Sequence, residues 1–178
     1  MIFKNGEPDL PKNYRPVAIV PILAKLFSLV LHGRLIDLLE DGQPEWQYGF
    51  RKGRGCSDAV HVLRMVVEKS EEWGEPLWMA ATDVEKAFDR VHHKVILECL
   101  LDEGVDCNTL RVLRDMYSGQ TGYVQLNPNA ASRDFKVGRG VRQGDPLSPA
   151  LFNIVVKKVM KELEPHWAVK GYGVVVGE

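Results

Sequence analysis

The sequence predicts an α+β fold built as one continuous unit, and three observations carry that expectation. Apolar residues recur at intervals of three and four through several long stretches, the period of a helix face. A short apolar run and a pair of alternating segments carry strand patterns instead. No repeat, low-complexity tract or linker interrupts the 178 residues, of which 45% are hydrophobic, enough for one sizeable core or a core with a smaller lobe.

The elements follow in chain order. Ile22, Leu23, Leu26, Phe27, Val30, Leu31, Leu35, Leu38 and Leu39 mark a helix that buries one face and stops before Gly42. Ser57 as N-cap opens a second helix, which turns Val60, Leu63 and Val67 inward and ends among Glu68, Glu71 and Glu72. Pro76 then introduces Leu77-Trp78-Met79-Ala80-Ala81-Thr82, a run suited to a buried strand with Asp83 at its C-terminal end. Val95 to Glu103 reads as a helix stopped by Gly104, and Asn108 to Tyr117 as another. Gly122 to Leu126, a turn at Asn127-Pro128-Asn129, and Phe135 to Val137 predict a β-hairpin. Ser148-Pro149 starts a helix, capped by the hydroxyl with proline at N1 and striped by Leu151, Phe152, Val155, Val156, Val159 and Leu163. Gly171 to Val176 reads as the opening of a further strand.

Bulk properties exclude more than they specify. Lysine and arginine number 23 against 24 acids, a formal charge of -1, so any contact with a polyanion must come from local clusters. Cys56, Cys99 and Cys107 are spaced for neither a zinc site nor a disulfide framework, which points to a reducing, intracellular setting, cytoplasm or nucleus. The run Val17 to Leu31 is too short and too interrupted for a membrane span, and the N-terminus lacks the apolar core of a signal peptide. His92 and His93 have no matching ligand set and read as packing or surface residues, and the four tryptophans Trp46, Trp73, Trp78 and Trp167 as core or boundary aromatics.

Four segments have residue types that suit chemistry. Asp83-Val84-Glu85-Lys86-Ala87-Phe88-Asp89 places a carboxylate at a strand end, where it can ligate a hard cation beside a backbone carbonyl. Asp83 as a helix cap, and Lys86 with Asp89 as a surface ion pair, are the plainer alternatives. Arg139-Gly140-Val141-Arg142-Gln143-Gly144-Asp145 leads into the helix at Ser148, so its glycines allow close backbone approach and the helix N-terminus favours a phosphate. A capped glycine-rich turn is the alternative there, with Asp89 and Asp145 as local hydrogen-bonding groups. Asn13-Tyr14-Arg15-Pro16-Val17-Ala18-Ile19 places one arginine beside an apolar strand-like run, and Gln47-Tyr48-Gly49-Phe50-Arg51-Lys52-Gly53-Arg54-Gly55 sets three cations among glycines and aromatics, which suits phosphate oxygens and bases.

Taken in order, the N-Y-R-P, Q-x-G-F-R-x-G-R, D-x-x-K-A-F-D and R-G-V-R-Q-G-D-P-L-S-P-x-L-F-N segments resemble successive motifs of the reverse transcriptases of non-long-terminal-repeat retrotransposons. The resemblance runs from about Lys12 to Asn153. It implies the fingers and partial palm of a right-hand polymerase fold, with residues of about 1–75 as fingers, 76–178 as palm with part of the fingers, an incomplete palm sheet and no thumb. Asp83 resembles the catalytic, metal-binding aspartate, with the Val84 carbonyl as a second ligand for Mg²⁺. Phe88 resembles the steric gate that excludes a ribose 2′-hydroxyl, with Ala87 beside it. Arg15 resembles the arginine that clamps a triphosphate, and Gln143 with Gly144 the nucleotide-binding part of the fourth motif. Arg51, Lys52 and Arg54 are assigned to triphosphate or template backbone.

The activity implied is two-metal transfer of deoxynucleotides to a primer 3′-hydroxyl on an RNA template, with a DNA primer and dNTP as partners. The family's aromatic-Ala-Asp-Asp motif does not occur, and the acids after Asp145 are Glu162, Glu164 and Glu178. The chain alone is therefore expected to be inactive, and a non-catalytic RNA- or nucleotide-binding remnant is the alternative. Group II intron reverse transcriptases share related palm motifs, but the N-Y-R-P and K-A-F-D forms fit the retrotransposon type. Phe88 at the gate position argues against an RNA-templated RNA polymerase.

Overall fold

The computed structural model describes residues 2–15, 17–127 and 130–173. Six helices and three small antiparallel ladders account for the regular structure of those residues. Strand β1 (Ile2–Phe3) pairs with β2 (Tyr14–Arg15) across a single 3₁₀ turn at Pro11–Asn13. Helices α1 (Ile22–Asp41) and α2 (Cys56–Trp73) follow, and then the short α3 (Ala87–Arg90). Helices α4 (His93–Asp102) and α5 (Cys107–Tyr117) lead into strands β3 (Thr121–Gly122), β4 (Gln125–Asn127), β5 (Ala130–Ala131) and β6 (Phe135–Lys136). The long helix α6 (Ser148–Val169) closes the described chain.

The core forms where α4 packs against both α5 and α6, with α1 laid on α6. Leu100, Leu113, Leu147 and Leu151 are completely buried there, and Ile96 and Ile154 nearly so. Local sequence sets the limits of these helices. The Asp106 carboxylate accepts from the Asn108 and Thr109 N–H groups at 3.0 and 3.1 Å, which caps α5, and hydrogen bonding from the Thr109 side chain first, then from these backbone groups, holds that carboxyl below its usual range. Gly74 ends α2 in the left-handed conformation, and Gly42 follows α1 as expected. The three cysteines are free, with Cys99 inside the core.

Several expectations from periodicity are corrected. On α1 only Ser28, Leu31, Leu35 and Leu39 are buried, at intervals of three and four, while Ile22, Leu23, Leu26, Phe27 and Val30 lie exposed. The helix period is right, but one neighbouring helix covers only one stripe of a surface that is apolar more than halfway round. Helix α2 buries no residue, so Val60 and Leu63 do not point into a core. On α6 the buried set is Ser148, Ala150, Leu151, Asn153 and Ile154, and Val159 and Leu163 near its outer end are exposed.

Neither predicted serine cap forms. Gly55 precedes α2, with its N–H donating to Asp58 at 2.7 Å, and Ser148 is itself the first residue of α6. None of the four tryptophans is buried, and Trp78 is 93% exposed.

The largest departure is at Leu77 to Thr82, which forms no strand. A strand needs ladder partners for its amides and a surface for its side chains, and among the described residues nothing pairs with this segment. The expected hairpin does form. It is split into two ladders, β3 with β6 and β4 with β5, with an irregular register at Gln125 and Asn127. Residues 128 and 129 of its turn, and residues 174–176 of the last expected strand, lie outside the described residues. Among the described residues no helix is long and apolar enough to cross a membrane.

Replacing Leu100 by Ala leaves a cavity between α4 and its two partners. Urea denaturation should read a loss of about 2–5 kcal/mol, whereas Val60→Ala on the uncovered α2 should stay within about 0.5 kcal/mol. Equal losses at the two positions would show that α2 is packed and that the core boundary drawn above is wrong.

Candidate functional site

The site is assembled from two turns that dock backbone to backbone. The turn through α3 starts at Lys86, a left-handed residue with φ of 53°, whose carbonyl accepts the Asp89 N–H at 2.9 Å. Against it lies the loop 139–147 that precedes α6. The Gly140 N–H donates to the Val91 carbonyl at 2.7 Å, and the Val141 N–H to the Phe88 carbonyl at 2.8 Å. Gly140 has φ of 92°, and a Cβ there would meet the Asp89 Cα and carbonyl oxygen at 3.0 Å. The close approach read from the glycines is therefore real, but it serves the neighbouring turn of the protein itself.

Side chains tighten the same contact. Gln143 Nε2 donates to Asp89 Oδ1 at 3.1 Å, and His93 Nε2 lies 2.9 Å from the Gly140 carbonyl. The His93 ring also packs on Tyr117, with centroids 4.8 Å apart. Asp89, read from sequence as a hydrogen-bonding or capping group or as an ion-pair partner of Lys86, serves as a hydrogen-bond acceptor that orients a glutamine 54 positions away. His93 is an anchor for the loop, a role that spacing alone could not show.

Below the loop lies a buried carboxylate. Asp145 Oδ1 accepts from Ser28 Oγ at 2.6 Å and from the Leu147 N–H at 2.9 Å, and Arg142 Nη1 stands 4.0 Å from Oδ2. The N-terminal end of α6, read from sequence as a place for a phosphate, is thus already occupied by the protein's own carboxylate. Ser28 belongs to α1, so this bond joins helices across the whole span between the first and fourth motifs. Burial, and next the negative charge of Asp145, push the Tyr117 phenol up to about 12, with Arg142 opposing them.

The other motifs reach the same place. The Ala18 N–H, three residues past Arg15, donates to the Gln143 carbonyl at 3.1 Å. Arg15 itself stands in β2 opposite Ile2. Gly144 has φ of 102°, and a Cβ there would lie 3.5 Å from the Ala18 carbonyl. From the second motif, the Phe50 ring meets the Phe88 ring edge-on with centroids 5.8 Å apart, and Phe88 stacks on Phe152 of α6 at 4.8 Å and 15°. Phe88 and its neighbour Ala87 are partly buried.

The remaining candidates are dispersed. Asp83 is exposed, as is Val84, and among the described residues no group of three or more metal-ligating side chains gathers. One carboxylate and one carbonyl do not supply the oxygen set that a pair of hard cations needs. Arg51 is tied down by Glu40 at 2.9 Å and by the Pro44 and Gln47 carbonyls at 2.9 and 3.3 Å. Arg54 pairs with Glu45 at 3.0 Å and lies over the Tyr48 ring. Lys52, between them, is exposed. Two of the three loop cations therefore shape the loop.

This chain belongs to the family described as reverse transcriptase (RNA-dependent DNA polymerase), which it matches over residues 2–176. Its relatives are proteins of non-long-terminal-repeat retrotransposons. It is 31% identical over its whole length to a retrovirus-related Pol polyprotein from the type-1 retrotransposable element R2 of Popillia japonica, of which it covers 24%. Two Drosophila melanogaster proteins, the Pol polyprotein of type-2 element R2DM and a probable RNA-directed DNA polymerase from transposon X-element, are each 32% identical over 90% and 85% of the chain. The chain spans 15% and 17% of their lengths.

Two outcomes test this geometry. Gly140→Ala should cost at least about 1–3 kcal/mol, because strain at positive φ adds to a clash with the Asp89 backbone. Gly138→Ala, with nothing within 4 Å, should be nearly neutral in the same denaturation series. Tyr117 holds its proton more tightly folded than unfolded, so its contribution is full below about pH 10. That contribution should fall away as the pH rises toward about 12, and Tyr117→Phe should flatten the decline.

Proposed function

We propose that the chain is the fingers, about residues 1–75, and the first part of the palm, 76–178, of an RNA-directed DNA polymerase of right-hand form. Its task in that enzyme is to bind and select the deoxynucleotide that is added to a DNA primer opposite an RNA template. One observation carries this reading. Segments from all four sequence motifs, far apart in the chain, meet around the Phe88 ring and the Gln143 loop.

The roles follow from position and chemistry. Phe88 is the gate whose ring collides with a ribose 2′-hydroxyl, and Ala87 leaves room beside it. Gln143, with its amide turned by Asp89, keeps its other polar groups for the sugar and base of the nucleotide. Gly144 keeps the backbone there free of a side chain. Arg15 is the arginine assigned to the triphosphate, and Lys52 is the loop cation open to template phosphates.

Mg²⁺ is the expected ion, with Asp83 and the Val84 carbonyl as its first ligands. These two groups do not make a two-metal site, so no step of phosphoryl transfer is assigned to this chain alone. The further carboxylates must come from an aromatic-Ala-Asp-Asp strand, a motif the 178 residues do not contain.

Primer extension on an RNA template with dNTPs and Mg²⁺ tests the proposal. The chain by itself should give no product. Joined to a following segment that carries an aromatic-Ala-Asp-Asp strand and a thumb, it should extend the primer, and Asp83→Asn should slow extension by at least about a hundredfold. Saturable RNA binding by a well-folded fusion that never extends would instead favour a non-catalytic RNA- or nucleotide-binding remnant.

A further inference from the structure

Phe50 is the one position in the second motif where the backbone works against its residue type. Its φ is 59°, a left-handed conformation that a bulky side chain rarely adopts. Burial does not explain it, because the residue is 63% exposed. The strain is held in place from both sides. On one side the Gly49 carbonyl accepts from Asn153 Nδ2 at 3.0 Å and from Gln47 Nε2 at 3.1 Å, and that same Gln47 amide reaches Asn153 Oδ1 at 3.2 Å. On the other, Arg51 is fixed by Glu40 and by the Pro44 and Gln47 carbonyls.

A strained residue between two anchors, with its ring left outside the core, is arranged for contact and not for packing. That contact is with Phe88. An aromatic ring lying flat on a single neighbour can still swivel, because its outer torsion is broad and two-fold. Phe152 supplies the flat contact at 15°, and Phe50 supplies an edge at 78°. The two together fix both the tilt and the rotation of the middle ring.

We propose that Phe50 is a specificity-determining positioning residue. By closing the outer side of Phe88 it sets the angle at which that ring meets the nucleotide sugar, so that rejection of a 2′-hydroxyl depends on the loop of the second motif. The inference rests on the reading of Phe88 as the gate. It adds that a side chain with no need to touch the sugar controls the selectivity, and that Asn153 and Gln47 hold it at its working angle.

The test compares dATP with ATP for binding to the full 178-residue chain in Mg²⁺ by equilibrium dialysis, in wild type, Phe88→Ala, Phe50→Gly and Phe50→Trp. Phe50→Gly removes the ring and also relieves the left-handed backbone, so its thermal midpoint should be no lower than that of wild type. Its preference for dATP should nonetheless fall by about two- to tenfold, the size expected for one lost aromatic pair. Phe50→Trp, which keeps an aromatic edge, should keep most of the preference, and Phe88→Ala should abolish it. Full preference in Phe50→Gly together with loss in Phe88→Ala would overturn the role of Phe50 and leave the gate standing. A wild type without preference or without binding of either nucleotide, or a Phe88→Ala that still discriminates, would remove the gate reading and this inference with it.

Discussion

The docking of the Phe88–Val91 backbone on Gly140 and Val141 is the contact on which the rest of the site depends. Two hydrogen bonds of 2.7 and 2.8 Å bring a turn and a loop together, although some fifty residues of helix and hairpin separate them in the chain. Only a residue without a side chain fits at position 140. Once the two are joined, Gln143 faces Asp89, Phe88 comes flat against Phe152, and His93 closes over the outer carbonyl. The chemical surface is thus a product of main-chain geometry, with side chains added to it.

Beneath that contact a buried carboxylate does the work that a hydrophobic residue could not. Asp145 takes hydrogen bonds from Ser28 on α1 and from the start of α6, with Arg142 close by. A polar group enclosed in this way is costly to leave without a partner, and the Ser28 bond ties the first helix to the loop that starts the last. The outer charge pairs are of another kind. Lys158 with Asp102 at 2.9 Å is largely solvent-exposed and contributes little, whereas Lys157, half-sheltered between both oxygens of Glu103 at 2.7 Å, ties α6 to the end of α4.

Much of this was legible in the sequence, and the gaps have physical causes. Helix limits at Gly42 and Gly104 follow from local backbone chemistry, which a sequence carries directly, whereas α2 runs past the expected end among Glu68, Glu71 and Glu72 to the left-handed Gly74. The motif segments were legible too, because their residue types and order are local information. What periodicity could not give was which apolar stripe of α1 meets a partner, or that α2 meets none. Those depend on neighbours, as does the failure of Leu77 to Thr82 to form a strand. The roles of His93, Ser28 and Asn153 were hidden for the same reason, since each is defined by a residue at least 47 positions away.

The unpaired stretch around Asp83 has a thermodynamic side. Its backbone amides have no ladder among the described residues, and its carboxylate is exposed at the end of that stretch. Setting Leu77 to Thr82 into a strand would immobilise Asp83 as well, and the conformational entropy of the whole stretch would be lost in that single event.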